Sequence, residues 1–193
     1  MAHDGRSGTR KQSLSFERAG RAVLMVDLVE SVRLIEQDEA GAVSRWLDLV
    51  HHIDDGILPK CNGRLVKSLG DGLLLDFDTV RQASTAAFDI QRACTDQNKN
   101  KPGNQHFLLR MGIEISDVFD DERDIYGHGV NLAARLMKLA GPGEIVISAN
   151  AQDQLVSSLD ADIEDLGECY VKNVKNPIRA YRIGPAGPDP VIR

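Results

Sequence analysis

Among the side chains of this 193-residue sequence, Asp27 and Asp71 are the pair best suited to hold a metal ion. Asp27 directly follows the apolar run Ala22–Val26, and Asp71 sits between Gly70 and Gly72. Taken singly, each has an ordinary structural explanation, since an Asp after a strand caps the next helix and Gly-Asp-Gly makes a turn. Brought together at neighbouring strand ends, two hard carboxylates suit Mg²⁺ or Mn²⁺, which combine a few carboxylates with substrate phosphates. A second group lies between His128 and Ala140. There Val130, Leu132, Ala133, Ala134, Leu136, Met137, Leu139 and Ala140 cover most of a helical wheel, leaving a narrow polar gap of Asn131, Arg135 and Lys138. A helix apolar nearly all round is buried, so its few polar groups are aimed at a ligand or at loop carbonyls. Lys67, inside a strand pattern, reads as a solvated strand face or as another cation of the same site. His51, His52 and His128 form no pair with metal-ligand spacing.

Residues 1–20 read as a flexible basic arm and residues 184–193 as a Pro/Gly tail, with one domain over residues 21–183. Ala22–Val26 has the profile of a strand buried on both faces. Val43, Trp46, Val50, Ile53 and Ile57 keep helical spacing up to Pro59. Gly63–Leu69 and Leu73–Phe77 flank the Asp-Gly turn as a hairpin. A helix over 80–94, a strand over 106–115, an acidic loop over 117–124 and the helix over 128–140 follow. Then come a strand over 144–148, a short helix over 150–158 and three short strands ending at Ile183. The fold class is α+β, a ferredoxin-like βαββαβ core extended by an αβ unit and a C-terminal β-hairpin.

The 23 basic and 29 acidic residues give a net charge of −6, which argues against a broad grip on nucleic acid or an anionic membrane. Modules of this layout that bind RNA stack bases on strand aromatics, and only 5 % of this chain is aromatic. No apolar run approaches the roughly 20 residues of a membrane span, and the polar start has no signal-peptide core. Cys61, Cys94 and Cys169 are scattered and odd in number, as in a reducing, cytoplasmic compartment.

From about Val23 to Ile183 the sequence resembles class III nucleotidyl cyclase catalytic domains, most of all the adenylyl cyclase domains common in bacteria. The resemblance rests on Val26-Asp27-Leu28-Val29, on Lys67-Ser-Leu-Gly-Asp71-Gly, and on Asp124-Ile-Tyr-Gly-His-Gly-Val-Asn131-Leu-Ala-Ala-Arg135. It implies conversion of ATP to 3′,5′-cyclic AMP and pyrophosphate with two divalent ions, Mg²⁺ or Mn²⁺. Asp27 and Asp71 would hold the ions, with the Leu28 carbonyl as a further ligand. Lys67 and Asp124 would select the base, Asn131 orient the ribose, Arg135 neutralise the α-phosphoryl charge and Lys172 meet the terminal phosphates. It also implies a head-to-tail homodimer in which Asp27 and Asp71 face the other copy's Lys67, Asp124, Asn131 and Arg135. Family members often carry a fused sensor or answer to a regulatory partner.

The sequence departs from the family pattern twice. Glu30-Ser31-Val32 replaces a turn of Gly, aromatic and hydroxyl residues, and Glu30 would repel a triphosphate unless it points away. Ser116 stands where a Gly usually ends the strand after Arg110, for which local adjustment is expected. The rival reading is a catalytically silent, ATP-binding or dimerising regulatory module. Guanylyl cyclase is disfavoured by Lys67 and Asp124, and the Gly-Gly-Asp/Glu-Glu-Phe signature of diguanylate cyclases is absent.

Overall fold

In the computed structural model, which describes residues 17–121, 123–155, 159–172 and 176–185, the apolar run at 22–26 is the middle of a long central strand, β1 (Glu17–Leu28). Two helices follow, α1 (Ser31–Gln37) and α2 (Glu39–His52). A π turn at Ile53–Ile57 and a 3-10 turn at Leu58–Cys61 then absorb Pro59. The hairpin is β2 (Gly63–Ser68) and β3 (Gly72–Phe77), and it leads into α3 (Val80–Asn98). Next are β4 (Leu109–Asp120), β5 (Ile125–Tyr126), α4 (His128–Leu139), β6 (Ile145–Ser148) and α5 (Ala149–Leu155). Strands β7 (Ala161–Cys169) and β8 (Ile178–Pro185) complete the described fold.

The sheet order is β2-β3-β1-β4-β6-β8-β7, with β5 paired to β4. Its first four strands have the expected ferredoxin-like arrangement, and β6 joins parallel to β4 after α4 crosses over. Both faces are covered there, which is why β1 is continuously apolar over residues 22–26. Ala22, Leu24, Val26 and Leu28 enter the main core with α2, α3 and α5, while Val23 and Met25 pack with Ala133 and Met137 of α4 on the second face. Asp76 is fully buried in β3, where Nε and Nη2 of Arg21 reach it at 2.8 and 2.9 Å and Nη2 of Arg64 at 3.0 Å. A carboxylate buried this fully needs such partners to offset its desolvation.

Three expectations change. Residues 17–20 do not belong to an arm: they extend β1, because Asp117–Asp120, expected in a loop, continue β4 opposite them. In the same way, residues 184 and 185 belong to β8 and not to the tail. Among the described residues the three closing strands are two, since β7 is one strand bulged between Asp165 and Gly167, with Gly167 at φ +73°. That bulge breaks the period-2 pattern and imitates a strand end. Residues 1–16 of the expected arm and 186–193 of the expected tail lie outside the described residues.

Candidate active site

Antiparallel pairing sets Asp27 directly opposite Gly72, and the Leu28 N–H donates to the Asp71 carbonyl at 2.9 Å. The two aspartates therefore occupy adjacent ends of β1 and the β2–β3 hairpin. The hairpin tip is anchored from α2, where the Trp46 indole N–H donates to the Gly70 carbonyl at 2.9 Å. Gly72 is required here, because a Cβ would lie 2.9 Å from the Val26 carbonyl oxygen. The Asp27 side chain is 18 % exposed, and its Oδ2 accepts from Arg110 Nε at 2.6 Å. Asp71 Oδ2 accepts from the Ser31 hydroxyl. These donors fix one oxygen of each carboxylate, and no bond to the other oxygen of either is found among the described residues.

That donor set fits divalent cations. Two carboxylates and nearby backbone carbonyls make an oxygen-only surface for Mg²⁺ or Mn²⁺. The described residues hold no group of three or more His, Cys, Asp or Glu able to bind a metal. Further ligands would therefore come from backbone, water and phosphate.

Lys67 and Asp124 meet in a hydrogen-bonded ion pair. A bulge at Val66 makes this possible. Leu65 pairs with Leu75 and packs into the main core, and regular alternation would send Lys67 the same way. The register shift instead pairs Lys67 with Leu74 of the second-face core. Burial works against the Asp124 charge, but the Lys67 ammonium and the Ile125 N–H, 2.8 Å from Oδ1, outweigh it and hold the carboxyl below its usual range.

Helix α4 follows Asp124 and seats against β4 at Gly112, where a Cβ would stand 2.2 Å from Met137 N and 2.3 Å from the Ala133 carbonyl oxygen. Gly129, Ala133, Leu136 and Met137 are buried in the described chain. Val130, Leu132, Ala134 and Leu139 remain half-buried, so the helix is less enclosed than its composition suggests. Asn131 is exposed and Arg135 half-exposed. Arg135, Lys138 and Lys172, the last in an exposed turn after β7, line one cleft of about 290 Å³.

Both departures find compensation. Glu30, at φ 55°, has its carboxylate engaged by Arg33 Nε at 2.8 Å. Ser116 packs where a Cβ on Gly129 would come within 1.8 Å of its hydroxyl, so the space a strand glycine would leave is provided by a helix glycine. Sequence reasoning missed Arg110 and Ser31 as partners of the aspartates. Arg110 could have been noticed as a lone cation in the run Leu-Arg-Met-Gly-Ile.

The family profile described as the adenylate and guanylate cyclase catalytic domain matches residues 17–184. A Rhizobium meliloti protein provisionally named adenylate cyclase 3 is 31 % identical over 175 residues, covering 89 % of this chain and 29 % of the relative. The chain thus spans less than a third of that protein's length. The crystal structure of an adenylate/guanylate cyclase/hydrolase from Silicibacter pomeroyi aligns with a TM-score of 0.80 and 32 % identity, over 88 % of this chain and 99 % of that one. The adenylyl cyclase CyaB from P. aeruginosa shares the fold at TM-score 0.77 and 23 % identity, over 91 % and 99 % of the two chains. The profile match, the relatives and the arrangement of the two aspartates, the Lys67–Asp124 pair and helix α4 agree: this chain belongs to the class III adenylyl and guanylyl cyclase catalytic domain family.

Proposed function

We propose that the chain is an adenylyl cyclase domain, forming 3′,5′-cyclic AMP and pyrophosphate from ATP at sites shared by two head-to-tail copies. The observation that carries the choice of base is the Lys67–Asp124 pair. Adenine presents an acceptor at N1 and a donor at N6, which a Lys donor and an ionised Asp acceptor complement. Guanine presents the reverse and would leave buried polar groups mismatched, which a hydrogen-bonding site rejects strongly. Because Asp124 is held ionised, it can only accept.

Asp27, Asp71 and the Leu28 carbonyl would hold the two divalent ions, which when bound acidify the ribose 3′-hydroxyl and offset charge on the phosphates. Arg110 keeps Asp27 aimed before loading and is free to turn to phosphate afterwards. Asn131 orients the ribose so that its 3′-oxygen lies in line with the α-phosphorus and the departing pyrophosphate. Arg135 stabilises charge that builds on the α-phosphoryl oxygens, and Lys172 holds the terminal phosphates.

Sheet order supports the shared site. Asp71 adjoins β3 and Lys172 follows β7, five strand spacings away. At about 4.8 Å per strand that is roughly 24 Å, more than one triphosphate can bridge within a single chain. The half-buried apolar side chains of α4 are surface that a second copy can cover. The free thiols Cys61, Cys94 and Cys169 suit a cytoplasmic location. No helix among the described residues is long and apolar enough to cross a membrane.

The test is cyclic nucleotide formation from ATP and from GTP with Mg²⁺ or Mn²⁺, at rising protein concentration. Cyclic AMP formation that climbs faster than linearly is expected, with little product from GTP. Product from GTP instead would overturn the base assignment. Binding of ATP with no product under either metal would make the chain a silent regulatory module.

A further inference from the structure

On α4, Lys138 lies three residues beyond Arg135, on the same helical face and about 4.5 Å further along the axis. It opens into the same cleft, whose other walls are Leu139, Val171, Lys172 and Tyr170, the last 82 % exposed. Three cations thus surround a small space that no carboxylate of the described residues lines, in a chain whose net charge is −6. Like charges drawn together repel one another unless an anion joins them. A lysine in the last turn of a helix also complements the helix dipole. That would explain Lys138 alone, but not its sharing a cleft with a cation from the turn after β7.

We propose that Lys138 is a third phosphate-binding residue, holding the pyrophosphate portion of the nucleotide between Arg135 and Lys172. The assignment rests on the cyclase reading for its substrate, and its ligand chemistry is that of a linear polyphosphate. Arg135 is committed to the α-phosphoryl group, so Lys138 contributes to ground-state binding and to retention of the departing pyrophosphate.

The experiment compares the wild-type chain, Lys138→Gln and Lys138→Arg by calorimetric titration with inorganic tripolyphosphate and by steady-state kinetics with ATP. Lys138→Gln is expected to weaken tripolyphosphate binding and raise KM for ATP by the same factor, on the order of tenfold. Its kcat should stay within about twofold, with at most a small fall in melting temperature from the lost helix-dipole partner, and Lys138→Arg should restore most of the affinity. A purely helix-stabilising lysine would shift the melting temperature and leave both binding measures alone, which would overturn the proposal. If the wild type makes no cyclic nucleotide yet binds tripolyphosphate through Lys138, the activity falls and this assignment stands. If cyclic AMP forms and Lys138→Gln binds and turns over like wild type, the assignment falls and the activity stands.

Discussion

The two halves of the candidate site are finished to different degrees. Around Asp27 and Asp71 each carboxylate already has a partner, Arg110 and Ser31 respectively, and the backbone between them is cross-linked through Leu28 N–H to the Asp71 carbonyl. Around α4, Asn131, Arg135, Lys138 and Lys172 make no side-chain hydrogen bond or ion pair among the described residues, and four apolar side chains of the helix stay half-buried. Two carboxylates brought to adjacent strand ends repel each other, so the fold itself holds each in place with a donor. Cations that await a polyphosphate need no such partner. A carboxylate beside them would compete with the ligand.

That contrast can be broken most forcefully at the carboxylates. Asp71→Asn keeps the shape of the hairpin tip but removes the carboxylate on which the proposed metal loading depends. Several kcal/mol of transition-state stabilisation correspond to a fall of about 10³-fold or more in turnover, measured as cyclic AMP release, with little change in melting temperature. The seat of α4 should respond in the opposite way. Gly112→Ala would force a methyl against Met137 N and the Ala133 carbonyl. Because those neighbours are backbone, the chain should lose about 1–3 kcal/mol of stability, seen in denaturant unfolding, and activity should fall as α4 shifts.

Lys67→Met removes the donor of the base pair and should reduce the preference for ATP over GTP at least tenfold, read as the ratio of kcat/KM values. It should leave the metal dependence of the remaining activity unchanged. The smallest effect concerns pH. Asp124 has a folded pKa below its unfolded value of about 3.9, so its pairing contributes stability above that value and loses it as pH falls through the folded pKa. Asp124→Asn should therefore be less stable than wild type at pH 7, and the gap should close below about pH 4.

Much of this was legible in the sequence because it depended on local pattern. The Ala22–Val26 run, the Gly70-Asp71-Gly72 turn and the apolar helix 128–139 each announce their own conformation. What stayed hidden depended on two segments meeting. Nothing local to Lys67 says that Val66 bulges, yet the bulge decides which face Lys67 occupies. Arg110 becomes a partner of Asp27 only through the β1–β4 register, 83 residues apart in sequence. The adjustment expected at Ser116 lies in Gly129 across from it, and residues 17–20 are strand only because β4 extends beside them.

In the proposed shared site, Asp27 and Asp71 come from one copy and Arg135 from the other. This division is tested most directly by mixing Asp71→Ala with Arg135→Ala, each nearly inactive alone, at concentrations that allow dimers to exchange. Cyclic AMP formation should return to a fraction of the wild-type rate, because a mixed dimer holds one site built wholly from native residues. A mixture that stays as inactive as its parts, while both variants remain folded and dimeric and the wild type turns over, would contradict it.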